Sequence, residues 1–244
     1  MTRSTVQPYM EPVVAVIIPA LNEAGNIGPL VRATLHMAPV RVIVVDNGST
    51  DATACEAVEA GATVVYEPQR GYGYACAAGV AAARDADLLV FLDGDCSFLP
   101  EEMPLLLSPL LEDRADLVLG SRVLGHIAPG AMPPHQYVGN WLVARLMSRL
   151  YRIKVTDLGP YRAIRRSLLM GLQMREMTYG WPTEMMVKAA RAGARLVEAP
   201  VSYHPRRAGK SKVSGAVRGT LLAAWYILGV TLRYAWQQPA SRRR

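Results

Sequence analysis

The sequence predicts an α/β protein with a mostly parallel central sheet, helices on both faces and a basic C-terminal helical extension. Three observations lead there. Short β-branched or apolar runs, each bounded by turn residues, recur through the first half of the chain, as buried strands do. The segments between them are long enough for helices, and regular strand–helix alternation builds a parallel sheet covered on both sides. The charge is also split. Residues 1–120 hold 6 Lys+Arg against 16 Asp+Glu, net −10, whereas residues 121–244 hold 21 against 4, net +17.

The expected strands are VVAVIIP (13–19), RVIVVD (41–46), ATVVYE (62–67), DLLVFLD (87–93) and DLVLG (116–120). Helices are expected over 24–37, 51–60, 72–84 and 100–112, with Asp51 suited to an N-cap and Pro100 or Glu101 to a first turn. Beyond residue 120 the pattern loosens into the connection GHIAPGAMPPHQ and a basic amphipathic stretch, VGNWLVARLMSRLYRIK. This second half reads as extension and lid. A length of 244 residues with 51% hydrophobic content suits one domain with a single large core. The boundaries read as a tail at 1–12, a domain at 13–215 with halves 13–120 and 121–215, and an apolar helix with a basic tail at 216–244.

Composition narrows the class. Cys55, Cys76 and Cys96 are odd in number and form no CxxC, so neither zinc nor a disulfide framework is expected, and a reduced cytoplasmic setting fits. The first residues lack a long apolar core, so no secretory signal is read there. LLAAWYILGVTL (221–232) is shorter than the roughly 20 residues of a spanning helix. The acidic half suits a metal or cationic ligand; the basic half by charge suits phosphate, nucleic acid or an anionic membrane face. Nucleic acid is not expected as a partner.

In parallel sheets ligands bind beyond the carboxyl ends of the strands. ALNE (20–23), DNGSTD (46–51), DGD (93–95) and GSR (120–122) all follow strands directly, so all should share one edge. Two carboxylates with a glycine between them, Asp93 and Asp95, suffice for a nucleotide-held Mg²⁺ or Mn²⁺, which takes one or two carboxylates plus substrate phosphates. The same pattern also suits a plain turn. Asp46 at a strand end can accept from a base or ribose, and Gly48 permits the tight turn after it. In RGYGYACAAG (70–79), Gly71 and Gly73 allow close backbone approach, to a ligand or to a packed helix. Arg122 can grip a phosphate bidentately. Asp157 and Arg162 in TDLGPYRAIRR, and Glu184 near a helix start in GWPTEMMVKAARAG, are further polar candidates, although Glu184 equally suits a helix dipole. RRAGKSK (206–212) has the composition of a mobile loop that closes on a diphosphate. Arg145, Arg149 and Arg152 share a helix face with Trp141, Leu142 and Leu146, which fits either an interfacial helix or a helix packed on its own domain.

Together IIPALNE, VVDNGSTD, RGYGYACAAG, FLDGDCSFLPEEM, GSR, TDLGPYRAIRR, YGWPTEMMVKAARAG and RRAGKSK, in this order from about Val13 to Lys212, resemble glycosyltransferase family 2, within it the dolichyl- or polyprenyl-phosphate mannosyl/glucosyltransferase branch. The resemblance implies a GT-A fold, an NDP-sugar donor (UDP- or GDP-hexose), a divalent metal and inversion at the anomeric carbon. By position, Pro19, Ala20, Asn22, Glu23, Asp46, Gly48, Gly71, Asp93, Gly94 and Arg206 would bind the nucleotide-sugar. Asp93 and Asp95 would hold the metal, and Arg122, Arg162 and Lys210 would face the acceptor. Asp95 and Arg206 would act in catalysis, joined by Asp157 or Glu184 as base if the acceptor is a hydroxyl. A lipid-phosphate acceptor would need no base and would bring peripheral contact with an anionic membrane. The family often has a second aspartate where this chain has Asn47, and glutamine where it has Ser97. Hydroxyl acceptors, or nucleotide-sugar binding without catalysis, are the rival expectations.

Overall fold

A computed structural model describes residues 12–37, 39–209 and 217–235, with side chains in the last segment from residue 225 onward. Five strands and four helices alternate as expected: β1 (Val14–Ala20), α1 (Ile27–Met37), β2 (Val40–Asp46), α2 (Thr53–Glu59), β3 (Thr63–Tyr66), α3 (Tyr72–Ala82), β4 (Leu88–Phe91), α4 (Met103–Leu111) and β5 (Leu117–Ser121). A 3₁₀ turn, Pro100–Glu102, leads into α4, with proline where no N–H is needed. The second half adds α5 (Pro134–Tyr151), β6 (Arg162–Arg165), α6 (Arg166–Leu172), α7 (Trp181–Arg191), β7 (Leu196–Pro200) and α8 (Val217–Arg233).

The sheet order is β3-β2-β1-β4-β6-β5-β7. The pairs β1–β2, β1–β4, β2–β3 and β5–β7 are parallel, and β6 runs antiparallel to both β4 and β5. Reading 121–215 as extension and lid therefore needs correcting: that half supplies two strands of the sheet itself. The reversal of β6 has a simple cause. The chain leaves β5 at the carboxyl edge, traverses α5 and re-enters at the same edge, so the next strand can only run backward.

Alternation along β1 shares its side chains between two cores. Val14, Val16 and Ile18 pack with Ile27, Leu30 and Val31 of α1 and with Leu106 and Leu110 of α4. Ala15 and Ile17 pack with Ala75, Cys76 and Val80 of α3 and with Met185 and Met186 of α7. The small-residue sequence of α3 follows from its closeness to the sheet: a Cβ on Gly79 would stand 2.4 Å from Ile17 Cγ2. One helix boundary differs from expectation. Arg152 caps α5 in the left-handed conformation (φ 55°), so it leaves the face that Arg145 and Arg149 occupy.

Candidate active site

β1 and β2 end side by side, with Ala20 paired to Asp46, and the loops beyond them are stapled together. Asn22 (φ 50°) donates its N–H to Ser49 Oγ at 2.9 Å and accepts the Thr50 N–H on Oδ1 at 2.8 Å. Glu23, buried, donates its N–H to Thr53 Oγ1 at 2.7 Å. Asp51 accepts from the Thr53 and Ala24 N–H groups at 3.0 and 3.2 Å, a loop-fixing role just ahead of α2. Asp46 accepts the Ser49 N–H at 2.8 Å, closing a turn in which Gly48 takes φ 81°. The neighbouring Asn47 donates through Nδ2 to the carbonyls of Glu67 (3.0 Å) and Gln69 (2.7 Å) and accepts the Gly71 N–H on Oδ1 at 2.9 Å. A carboxylate there would set oxygen against two carbonyls, which accounts for asparagine at this position.

The DGD follows β4 on the same edge. Tyr72 donates its hydroxyl to Asp93 Oδ1 at 3.2 Å, and the Ser97 N–H binds Asp95 Oδ1 at 3.0 Å. Burial first, and then the charge of Asp95, push the Asp93 carboxyl up to about 7. Gly94 backs onto the end of β1: a Cβ there would lie 3.4 Å from the Pro19 carbonyl. Among the described residues no group of three or more His, Cys, Asp or Glu could hold an ion. The Asp93 and Asp95 carboxylates, close enough for Asp95 to raise the Asp93 pKa, nevertheless fit a hard cation that shares its shell with a nucleotide.

The chain returns to this edge after β7. The His204 N–H donates to the Ser97 carbonyl at 2.8 Å, and Arg206 Nη1 stands 3.6 Å from Asp95 Oδ2. Arg206 also donates through Nη2 to Glu23 Oε2 and through Nε to the Ala208 carbonyl at 3.1 Å. Asn26 Nδ2 holds the same two acceptors, at 2.9 and 3.1 Å. Nothing in the periodicity singled out Asn26; its only sequence signal is a polar side chain opening α1. Lys210 lies outside the described residues.

On the β5 side Arg122 forms a fork with Asp157, Nε to Oδ2 at 2.8 Å and Nη2 to Oδ1 at 2.6 Å, while the Arg122 N–H adds a third bond at 2.7 Å. The guanidinium also lies 5.1 Å from the centre of the Tyr203 ring. Burial pulls the Asp157 carboxyl upward, yet Arg122 more than offsets it and the net shift is downward. Arg162 and Glu184 take other places. Arg162 is 1% exposed and spends its guanidinium on the carbonyls of Gly159, Pro160 and Pro182. Burial lowers its pKa to about 10, so it stays charged at neutral pH. Glu184 is fully buried and accepts from the N–H groups of Arg175 (2.9 Å) and Glu176 (2.7 Å), the Tyr234 hydroxyl (2.6 Å) and Lys188 Nζ (2.9 Å). Burial raises its pKa, but these four donors prevail and hold the carboxyl low. It anchors the loop whose Met177 carbonyl receives the Gly73 N–H at 3.0 Å. A Cβ on Gly71 would meet that carbonyl at 2.5 Å, so Gly71 serves close packing here.

The edge thus joins an acidic pair, a loop arginine and a clamped arginine around the ends of β1, β2, β4 and β5. Residues 15–172 match Glycosyl transferase family 2. Over 212 residues the chain is 43% identical to an uncharacterized glycosyltransferase of Mycobacterium tuberculosis, covering 86% of this chain and 94% of that one. It is 32% identical over 223 residues to the undecaprenyl-phosphate mannosyltransferase of Micrococcus luteus, covering 84% and 89%. Glucosyl-3-phosphoglycerate synthase from Mycobacterium tuberculosis, solved with Mn²⁺, uridine diphosphate and phosphoglyceric acid, superposes with a TM-score of 0.74 over 94% of this chain and 80% of that one, at 22% identity. The chain belongs to glycosyltransferase family 2 and is a glycosyltransferase of the GT-A fold.

Proposed function

We propose that the protein transfers a hexose, with inversion, from a nucleoside-diphosphate sugar to a polyprenyl phosphate, using Mg²⁺ or Mn²⁺. One observation favours a phosphate acceptor: both carboxylates that a hydroxyl acceptor would need as base are already committed. Asp157 is locked in the Arg122 fork and Glu184 accepts from four donors, and both are held in the ionised, weakly basic form. A phosphate oxygen is anionic at neutral pH and needs no base. The M. luteus relative is named for such an acceptor, whereas the M. tuberculosis synthase, a neighbour in fold, was solved with the non-lipid phosphoglyceric acid.

In this reading Asp46 and the 46–49 turn receive the nucleoside, and Asp93 and Asp95 hold the metal. When bound, the metal would neutralise charge gathering on the diphosphate. Arg206 shifts from Glu23 and Asp95 onto the departing diphosphate and adds to that stabilisation. Arg122, kept in orientation by Asp157 and Tyr203, presents its outer edge to the acceptor phosphate. An acceptor oxygen attacks the anomeric carbon from the face opposite the diphosphate; the new C–O bond forms as the old one breaks, and its electron pair leaves with the nucleoside diphosphate.

A membrane-dwelling acceptor calls for a docking face, and α5 has the chemistry for one. Tyr137, Val138, Trp141 and Leu142 are exposed on it, and Arg145 lies 5.9 Å from the Trp141 ring centre. No acid occurs between Asp116 and Asp157, so charge complementarity favours an anionic bilayer. Among the described residues no helix is long and apolar enough to cross a membrane. The decisive assay incubates UDP- and GDP-hexoses with a short-chain polyprenyl phosphate and Mn²⁺. Expected is a glycosyl-phosphate product whose formation stops on chelation; transfer to hydroxyl acceptors alone would overturn the reading.

A further inference from the structure

Asn140 occupies the same turn of α5 as the exposed Trp141 and Leu142, but its carboxamide engages the loop before β6. Oδ1 accepts the Leu158 N–H at 3.0 Å, a donor it shares with Asp157 Oδ1 at 2.7 Å, and Nδ2 donates to the Thr156 carbonyl at 3.3 Å. One turn pair further along, Ser148 Oγ donates to the Val155 carbonyl at 3.2 Å. The loop is gripped from the opposite side by β7. Glu198 Oε1 accepts the Thr156 N–H (2.8 Å), the Thr156 hydroxyl (3.0 Å) and the Asp157 N–H (3.1 Å). Between the two grips lies Asp157, and Asp157 fixes both the side chain and the N–H of Arg122. There is little slack to absorb movement: a Cβ on Gly159 would stand 2.7 Å from the Gly120 carbonyl.

We propose that Asn140 is a positioning residue for the acceptor end of the site, tying the orientation of Arg122 to the placement of α5. The carboxamide supplies on separate atoms the acceptor and the donor that the Leu158 N–H and the Thr156 carbonyl require. Aspartate would keep the bond to Leu158 and lose the one to Thr156; alanine would lose both. Because α5 is also the helix with the exposed aromatic and cationic side, a shift of α5 on a surface reaches Arg122 through two hydrogen-bonded steps. The claim rests on the proposed role of Arg122 toward an acceptor phosphate.

The full-length protein with Asn140→Ala, and with Asn140→Asp as the variant that retains packing, tests it in two arms. In hydrogen exchange, the amides of Leu158 and Arg122 should exchange faster in Asn140→Ala, with Asn140→Asp intermediate, while amides of 91–98 stay as in wild type. In steady-state assays with a short-chain polyprenyl phosphate in anionic vesicles, the acceptor KM should rise about 10-fold or more, in keeping with the cost of small misplacements, with the donor KM within about 2-fold. Faster exchange at Leu158 with Arg122 unmoved would overturn the proposal, as would donor and acceptor KM rising together. If the wild type transfers nothing to a polyprenyl phosphate, the proposed acceptor is wrong, and the exchange arm alone upholds or overturns the link from Asn140 to Arg122.

Discussion

Arg206 Nη1 stands 3.6 Å from Asp95 Oδ2, so the loop after β7 and the acidic turn after β4 meet through opposite charges. The contact is partly buried, with the two side chains 16% and 21% exposed. It puts a cation from the second half of the chain directly onto the acidic pair of the first.

Removing that partner separates two functions. Asp95→Ala should abolish the Mn²⁺-dependent part of nucleotide binding while leaving the fold intact, because Arg206 keeps Glu23. Arg206→Ala should instead retain metal-dependent binding and lower turnover by about 10²-fold or more, as loss of a preorganised charge at a leaving group does. Thermal shift with UDP or GDP, with and without Mn²⁺, reads the first effect, and single-turnover transfer reads the second.

The Asp93 carboxyl gives a pH dependence with a definite sign. Its folded pKa, about 7, lies above the ordinary carboxylate value of 3.8. The protonated form is therefore favoured in the native state, and the stability it contributes is lost as pH rises through 7. A bound cation requires the ionised form. The increase in Tm on adding Mn²⁺ and nucleotide should be small at pH 5.5, grow through pH 7 and level off above it. Asp93→Asn should flatten that profile.

Breaking the Arg122–Asp157 fork should cost stability as well as acceptor use. The Asp157 side chain is fully buried and that of Arg122 is 14% exposed. Asp157→Ala strands a guanidinium in a poorly solvated place, for which about 3–5 kcal/mol is typical. Urea unfolding monitored by circular dichroism measures it. Arg122→Lys keeps the charge and loses the fork, so it should fold better than Asp157→Ala yet raise the acceptor KM.

Glu184→Gln discriminates between scaffold and base. As a scaffold residue it should lower stability by roughly 2–3 kcal/mol, since bonds to a charged group are the stronger kind, and leave turnover per folded molecule within about 3-fold. A loss of 10²-fold in turnover with stability unchanged would identify it as a base after all.

Vesicle binding follows from the exposed side of α5. Co-sedimentation with anionic liposomes should weaken as salt rises from 50 to 500 mM, conditions over which surface charges become screened. It should fall with Arg145→Glu and Arg149→Glu together, and Trp141→Ala should weaken it at every salt concentration.

The first half of the fold was legible because its strands are apolar runs that stop at polar turns, and those turns hold the acidic residues of the site. Asp46 ends β2 and Asp93 and Asp95 lie in the turn just after β4, so they come to the same edge of the sheet. β6 escaped notice because RAIR has an arginine at each end, and only the carbonyls of Gly159, Pro160 and Pro182 make burial of Arg162 tolerable. β7 hid Glu198 within an apparently ordinary charged segment, where it holds Thr156 and Asp157. Asn26 and Asn140 could not be singled out either, and Asn47 stood out only as a departure from the family pattern. Asn47 and Asn140 match their carboxamides to backbone groups of a loop elsewhere, and Asn26 joins the Glu23 carboxylate to the Ala208 carbonyl; such pairings leave no periodic trace in the sequence.

The antiparallel β6 also sets a timetable for synthesis. β4 and β5 are neighbours only through it, so a nascent chain that has emerged as far as residue 121 has open edges on both strands and no partner between them. At roughly 5–20 residues per second, several seconds pass before Arg162–Arg165 leaves the ribosome. Throughout that interval the apolar LLVF and LVLGS strands present unpaired edges to neighbouring chains, so the half-made sheet is at its most prone to association before β6 arrives.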